Sequence, residues 1–131
     1  MNTYKIIRWP VTVLVLHAFA TVSGLYWQLS RLDNVLHFLG GMSIAAASSA
    51  LLQTKPLLSS GQRLPWLFRL LFCVGLVALA ATSWELMEFL LDTYTSTIMQ
   101  PSIADTMSDL TLGLTGGFLV TLYNLRKNKP Q

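Results

Sequence analysis

Four long apolar stretches, separated by short polar segments, dominate the hydrophobic pattern of this chain. An α-helix needs roughly 20 residues to cross the hydrocarbon core of a bilayer, and each stretch has about that length. We therefore predict four transmembrane helices, at about 9–27, 35–53, 66–91 and 107–125. The segment between the second and third stretches contains proline, serine and glycine, which is typical of a turn.

The composition supports a membrane protein. Of the 131 residues, 53% are hydrophobic and only 11% are charged, and the mean hydropathy is +0.52. Soluble domains carry roughly 25% charged residues, so we predict an all-α integral membrane protein in which residues 1–131 form a single membrane domain. The formal net charge of +3 does not indicate binding to nucleic acid, because the basic residues are scattered at segment ends. The single cysteine, Cys73, excludes an internal disulfide and a cysteine-based metal cluster.

The first apolar stretch allows two interpretations. Ala18-Phe19-Ala20 resembles the small-residue cleavage site of a signal peptide. However, the apolar character continues to Tyr26-Trp27, an aromatic pair typical of the end of a span, and this favours a retained helix. His17 lies near the middle of the stretch. We interpret it as a buried histidine that a neighbouring helix satisfies, with a role in a proton or solute pathway as the alternative.

The basic residues predict the orientation of the four spans. If the N-terminus is cytoplasmic, only Arg31 falls on the outer side. The inner side receives the other eight: Lys5, Arg8, Lys55, Arg63, Arg69, Arg126, Lys127 and Lys129. Cytoplasmic loops of membrane proteins carry an excess of Lys and Arg. We therefore predict that both termini face the cytoplasm.

With this orientation, six acidic or imidazole side chains lie at the outer ends of three predicted helices. They form three pairs, each spaced i,i+3 or i,i+4: Asp33 and His37, Glu85 and Glu88, Asp105 and Asp109. Residues at these spacings share one face of a helix, so each helix can direct both members of its pair toward one point. Carboxylates at membrane depth are costly unless they are paired, metal-bound or facing water.

Five carboxylates cannot all carry uncompensated charge in a small site of low dielectric constant, so several are protonated or a cation is bound. Oxygen ligands with one histidine favour Mg²⁺, Mn²⁺ or Ca²⁺, with Zn²⁺ or Fe²⁺ as alternatives. The predicted metal ligands are Asp33, His37, Glu85, Glu88, Asp105 and Asp109. In an enzyme, the metal would activate water and polarise a phosphoryl or acyl oxygen. The catalytic candidates are His37, Glu85, Glu88 and Asp109, with His37 or a spare carboxylate as general base.

Two other interpretations of these polar residues stay open. In the first, Asp33 and Asp105 are helix caps and the other groups form a structural hydrogen-bonded network. In the second, the polar groups belong to a proton or cation pathway. The inner halves of the spans, such as 70–77 and 118–122, are apolar, which counts against a pathway. Whether the protein is an enzyme stays undecided at this point.

The order and spacing of these residues resemble a known family pattern. The motifs are Asp33-Asn34-x-x-His37-Phe38 with Gly40-Gly41, then Glu85-x-x-Glu88, then Asp105-x-x-x-Asp109-x-x-x-Gly113-x-x-Gly116. Together they resemble the VanZ-like and YjdF-like bacterial inner-membrane proteins over about 33–117, and the double glycine and paired glutamates favour the YjdF-like branch. The chain departs from the pattern at Gly113, where the family usually has asparagine.

The resemblance implies a small multi-pass protein of the bacterial cytoplasmic (inner) membrane. For the VanZ-like branch it also implies a link to teicoplanin resistance and the cell envelope, but no established reaction. We therefore expect an outward-facing acidic, metal-binding site that acts on an envelope lipid or a lipid-linked cell-wall precursor. The alternative is a non-enzymatic membrane factor that binds a partner protein or lipid. Four short helices are compatible with a complete bundle or with half of a homodimer.

Overall fold

The computed structural model of the protein describes residues 3–29, 31–53 and 64–127, with side chains from Ile6 onward. These residues form helices and connecting turns, and no strand occurs among them. The helices are α1 (Thr3–Ser23), α2 (Leu25–Gln28), α3 (Leu32–Leu51), α4 (Trp66–Thr95) and α5 (Ile103–Lys127). The prediction of an all-helical chain is confirmed for this part of the protein.

Three helices are long and apolar enough to cross a membrane, with candidate spans at Ile6–Ser23, Leu32–Leu51 and Trp66–Thr95. Helix α5 is as long as a span but is not among them. Its two aspartates, its threonines and its three glycines lower its hydropathy. The predicted turn between the second and third spans lies largely at 54–63, which is outside the described residues. The basic residues Lys55, Arg63 and Lys129 also lie outside them.

Helices α3 and α5 approach each other closely because glycines face the contact. A Cβ atom added at Gly41 would overlap the backbone of Gly113, and one added at Gly116 would overlap the carbonyl oxygen of Phe38. Small residues allow helix backbones to approach within a membrane, where packing replaces the hydrophobic drive between helices. These glycines therefore allow the close contact of α3 with α5.

Helix α4 packs on the neighbouring face of α5. A Cβ atom added at Gly117 would lie 2.7 Å from both methyl groups of Val77, which is buried on α4. Helix α1 packs against α3, whereas the backbones of α1 and α4 stay apart along their described lengths. Successive long helices alternate in direction, so the end of α1, the start of α3, the end of α4 and the start of α5 lie at the same end of the bundle. We call this end the acidic end.

Candidate metal centre

Two overlapping groups of potential metal ligands lie at the acidic end. His17, His37 and Glu88 form the first group, and Asp33, His37 and Asp109 form the second. Within each group, one ligand atom from each residue lies within 4.8 Å of the others. Because His37 belongs to both groups, the two form one continuous cluster of five side chains from α1, α3, α4 and α5.

The spacing of the ligand atoms suits a small cation. Nε2 of His17 lies 3.8 Å from Oδ1 of Asp33 and 3.9 Å from Oε1 of Glu88. Nε2 of His37 lies 3.5 Å from the same Asp33 oxygen. In a tetrahedral site with bonds of about 2.1 Å, neighbouring ligand atoms lie roughly 3.4 Å apart. A shift of a few tenths of an ångström would therefore bring these atoms to coordination distance.

Several of these atoms are buried without a hydrogen-bond partner. Within the part of the chain that the structure describes, they include Nε2 of His17, Nε2 of His37, Oδ1 of Asp33 and Oδ1 of Asp109. Buried polar atoms are nearly always paired, and an unpaired one costs about 1–3 kcal/mol. His17 and Asp109 are only 5% and 2% exposed, so bulk water does not satisfy them. A cation bound in the cluster would give such atoms a partner.

The imidazole of His17 is held in place by two aromatic side chains. Its Nδ1 is hydrogen-bonded to the hydroxyl of Tyr26, and its ring stacks on Trp84 with the ring centroids 4.4 Å apart. Tyr26 reaches His17 because Gly24 ends α1 with a positive φ of 70°, and the chain then turns back in the short helix α2. A metal-binding histidine usually uses its second ring nitrogen for such an orienting hydrogen bond. This bond leaves Nε2 of His17 free to face the cluster.

His37 has an acidic neighbour in Glu85. Oε1 of Glu85 lies 3.7 Å from Nδ1 of His37, beyond hydrogen-bond distance. Gln100 fixes this carboxylate by donating from Nε2 to Oε2 and to the backbone carbonyl of Glu85, both at 2.8 Å. The arrangement places a fixed carboxylate beside the imidazole, where a small shift would let it accept a hydrogen bond from Nδ1. It assigns Glu85 a positioning role beside the cluster.

The connection between α4 and α5 folds back over the acidic end. The carboxylate of Asp92 accepts hydrogen bonds from the backbone N–H groups of Met99 and Gln100 and from the hydroxyl of Thr97. These bonds hold Gln100 in position to contact Glu85. Asp92 is thus a structural carboxylate outside the cluster.

The structure therefore brings together four of the six predicted ligands: Asp33, His37, Glu88 and Asp109. Glu85 adjoins the group through His37. Asp105 belongs to neither group. It is half-buried in the first turn of α5, one turn nearer to the end of the bundle than Asp109, where a negative charge suits the helix dipole.

His17 was predicted as a buried histidine, which its 5% exposure confirms, but it was not among the predicted metal ligands. Its helix contributes no acid, so no i,i+3 or i,i+4 pair pointed to it. The available signal was a lone imidazole in an apolar span, which is itself a reason to suspect function. Trp84 was missed as well, although it donates a 2.9 Å hydrogen bond from Nε1 to Oε1 of Glu88 and so orients that carboxylate.

A family model for predicted membrane proteins, DUF2238, matches residues 3–129, which is nearly the whole chain. The chain belongs to the DUF2238 family. Membership confirms the membrane class that the composition predicted. It does not identify the chain as VanZ-like or YjdF-like. Comparisons with curated proteins and with solved structures gave no significant match. The chemistry of this DUF2238 protein must therefore be argued from its own side chains.

Proposed function

We propose that this protein binds a divalent transition metal at the acidic end through His17, His37, Asp33, Glu88 and Asp109. The observation that carries the proposal is the set of buried, unpaired atoms from α1, α3 and α5, which lie close to the carboxylate of Glu88 on α4. Acidic side chains can lie close together without binding an ion. Here two imidazoles with orienting partners contribute as well, and each presents an unpaired nitrogen to the carboxylates.

The ligand set favours some metals over others. Carboxylates alone suit Mg²⁺ or Ca²⁺, which prefer oxygen ligands. Imidazole suits zinc and iron, and mixed sets of histidine and carboxylate also accommodate manganese. With His17 added to His37, the expected occupant moves from Mg²⁺ or Ca²⁺ toward Zn²⁺, Mn²⁺ or Fe²⁺. Zinc is the first candidate because histidine nitrogen and carboxylate oxygen are ligands that it commonly takes.

We further propose that α5 is a fourth transmembrane helix and that both termini face the cytoplasm. Helix α5 packs on α3 and α4, two candidate spans, and it has 25 residues. The basic residues Arg8, Arg69, Arg126 and Lys127 lie at the end of the bundle opposite the acidic end. By the positive-inside rule that end is cytoplasmic, so the acidic end faces outward in a bacterial inner membrane.

The orientation predicts the result of a fusion experiment. A reporter fused after Gln131 that is active only in the cytoplasm should be active, because the basic residues of the last turn of α5 retain that end inside. A phosphatase reporter that folds only outside the cytoplasm should be inactive at the same position and active when inserted after Ile98, between α4 and α5. The reverse pattern of activities would contradict the proposed orientation.

The function that fits this location best is metal-assisted hydrolysis or group transfer on an envelope lipid or lipid-linked precursor. The metal would supply Lewis acidity toward an ester or phosphoryl oxygen of the substrate. Glu85 would hold His37 in place, Tyr26 would hold His17, and a carboxylate of the cluster not needed for binding would accept a proton from water. The position of the cluster near the outer end supports a substrate that resides in the outer leaflet.

Metal analysis of the purified protein tests the site. The protein in lipid nanodiscs, after incubation with Zn²⁺ and removal of free metal, should retain about one ion per chain. Glu88→Gln and Asp109→Asn each replace a ligand oxygen by an amide nitrogen of the same shape, and both should bind metal more weakly. Asp105→Asn, at a carboxylate that belongs to neither ligand group, is the matched control, and it should retain the ion. Full metal content in the first two variants, or no metal in the unsubstituted protein, would refute the proposal.

A further inference from the structure

An apolar cavity lies between α1 and α4, next to the cluster of five side chains and on the side away from the acidic end. Its volume is about 270 Å³, and its upper end is formed by the rings of His17, His37 and Trp84. From there it follows α1 down to Pro10, seven residues away, which corresponds to about 10 Å along the helix. We call this cavity the slot. It exists because α1 and α4 both pack on α3 without their backbones meeting.

The walls of the slot carry almost no polar groups that could hold water. They are formed by valine, leucine, isoleucine and alanine side chains together with glycines, and the hydroxyl of Ser43 donates to the carbonyl of Gly40 at 2.8 Å. A cavity of about 150 Å³ lined by apolar side chains stays dry and takes up apolar molecules. The slot is larger and similarly lined, so its occupant should be hydrocarbon.

The slot communicates with the surface of the bundle. Val11 and Leu14 line it from α1, and they are 47% and 49% exposed. Both belong to a candidate membrane span, so the surface beside them faces lipid. An apolar chain can therefore reach the slot from the bilayer without crossing water.

The slot is about two helical turns long, and its upper end is closed by the stacked rings of His17 and Trp84. This length suits part of one hydrocarbon chain, whereas a span from a second copy of the chain would need roughly 20 residues of helix. An unbranched acyl chain is the occupant that we consider. A polyprenyl chain is wider because of its regular methyl branches, and the test below distinguishes the two.

We infer that the slot binds one acyl chain of a membrane glycerophospholipid, so that the ester and phosphate groups of that lipid lie at the metal cluster. The inference rests on the proposed function for the role of the metal, and it names the substrate class of that site. The upper end of the slot is shared with the cluster through His17 and His37, so hydrocarbon and polar head are aligned along one axis. The ester and phosphate oxygens would be the groups that approach the metal.

Photolabelling tests this inference. The full chain is placed in nanodiscs with a few per cent of phosphatidylglycerol that carries a diazirine in the middle of one acyl chain. After irradiation, peptides of α1 and α3 that contain Val13, Leu14 or Ile44 should carry most of the label. Gly40→Leu should fill the slot and reduce this labelling at least about fivefold, because the new side chain points toward Val13, 3.8 Å from its added Cβ.

Gly75→Leu is the matched control for this experiment. Gly75 lies on α4, and a Cβ added there meets nothing within 4 Å, so the substitution adds the same side chain outside the slot. Its labelling should equal that of the unsubstituted protein. Label spread evenly over the lipid-facing surfaces, or equal labelling in both variants, would overturn the inference. So would stronger competition by polyprenyl phosphate than by unlabelled phosphatidylglycerol.

The same samples separate this inference from the proposed metal site. If Gly40→Leu retains its metal but its slot is labelled less, the metal site and the acyl-chain site are both supported. Normal slot labelling in a protein that binds no metal would refute the metal site and leave the acyl-chain site standing. Bound metal with unspecific labelling would refute the acyl-chain site alone.

Discussion

Replacement of His37 by alanine is expected to reduce metal affinity by at least about 100-fold, the largest loss for any single substitution in the cluster. His37 is the member that both ligand groups share, and its Nε2 lies 3.5 Å from Oδ1 of Asp33. Its removal leaves neither group with three ligands. Titration of the metal-free protein in nanodiscs with Zn²⁺, against a competing chelator of known affinity, measures the loss directly.

Tyr26→Phe provides the graded comparison. It removes only the hydroxyl that is hydrogen-bonded to Nδ1 of His17 and leaves every proposed ligand in place. Loss of an orienting partner of this kind typically costs 10–100-fold in metal affinity. The expected order is therefore unsubstituted protein, Tyr26→Phe, then His37→Ala. If His37→Ala binds as tightly as Tyr26→Phe, His37 is not a ligand.

Gly41→Ala is expected to destabilise the whole bundle. The added Cβ would overlap the backbone of Gly113, and backbone cannot rotate away as a side chain can. Overpacking typically costs about 1–3 kcal/mol and occasionally more, and a clash with backbone lies at the upper end of that range. The melting temperature in detergent, followed by the loss of monodisperse protein on heating, should fall by several degrees.

The matched control for Gly41→Ala is Gly75→Ala. Position 75 is also in a helix, but an added Cβ meets nothing there. Alanine in the interior of a helix is favoured over glycine by roughly 0.5–1 kcal/mol, so this variant should melt at the same or a higher temperature. Equal melting temperatures for the two variants would mean that α3 and α5 are not in close contact at Gly41.

Much of the cluster could be predicted from the chain because each pair of polar residues lies within one helix. Spacing alone puts Asp33 and His37 on one face, and alternation of the spans puts α3, α4 and α5 with their acids at the same end. The rotation of one helix against another has no such local signal. The rotation of α5 determines that Asp109 faces the cluster, whereas Asp105, one turn away, stays half-buried at the end of the bundle.

His17 illustrates what could not be predicted. Its position in the cluster depends on the packing of α1 on α3, on the turn at Gly24 that returns Tyr26 to the ring, and on the stacking with Trp84. All three are contacts between elements that a hydrophobic pattern does not encode. The predicted helix bounds differ from the observed ones: α1 is Thr3–Ser23 rather than about 9–27, α4 continues to Thr95 rather than about 91, and α5 begins at Ile103 rather than about 107.

The glycine at position 113 has a structural explanation in this chain. Its backbone is the surface on which Gly41 packs, and it lines the slot below Asp109. A Cβ added there would meet only ordinary contacts, 3.6 Å from the carbonyl oxygen of His37. Glycine at this position therefore adds no side chain to the wall of the slot.

The distribution of the ligands over four helices has a consequence for biosynthesis. A chain emerging from the ribosome presents α1 first and α5 last. The group of His17, His37 and Glu88 is complete as soon as α4 has entered the membrane, whereas the group with Asp109 must wait for α5. An ion bound by the first group would link α1 to α4 before synthesis of the chain ends. Helix α5 would then pack against helices that the ion already holds together.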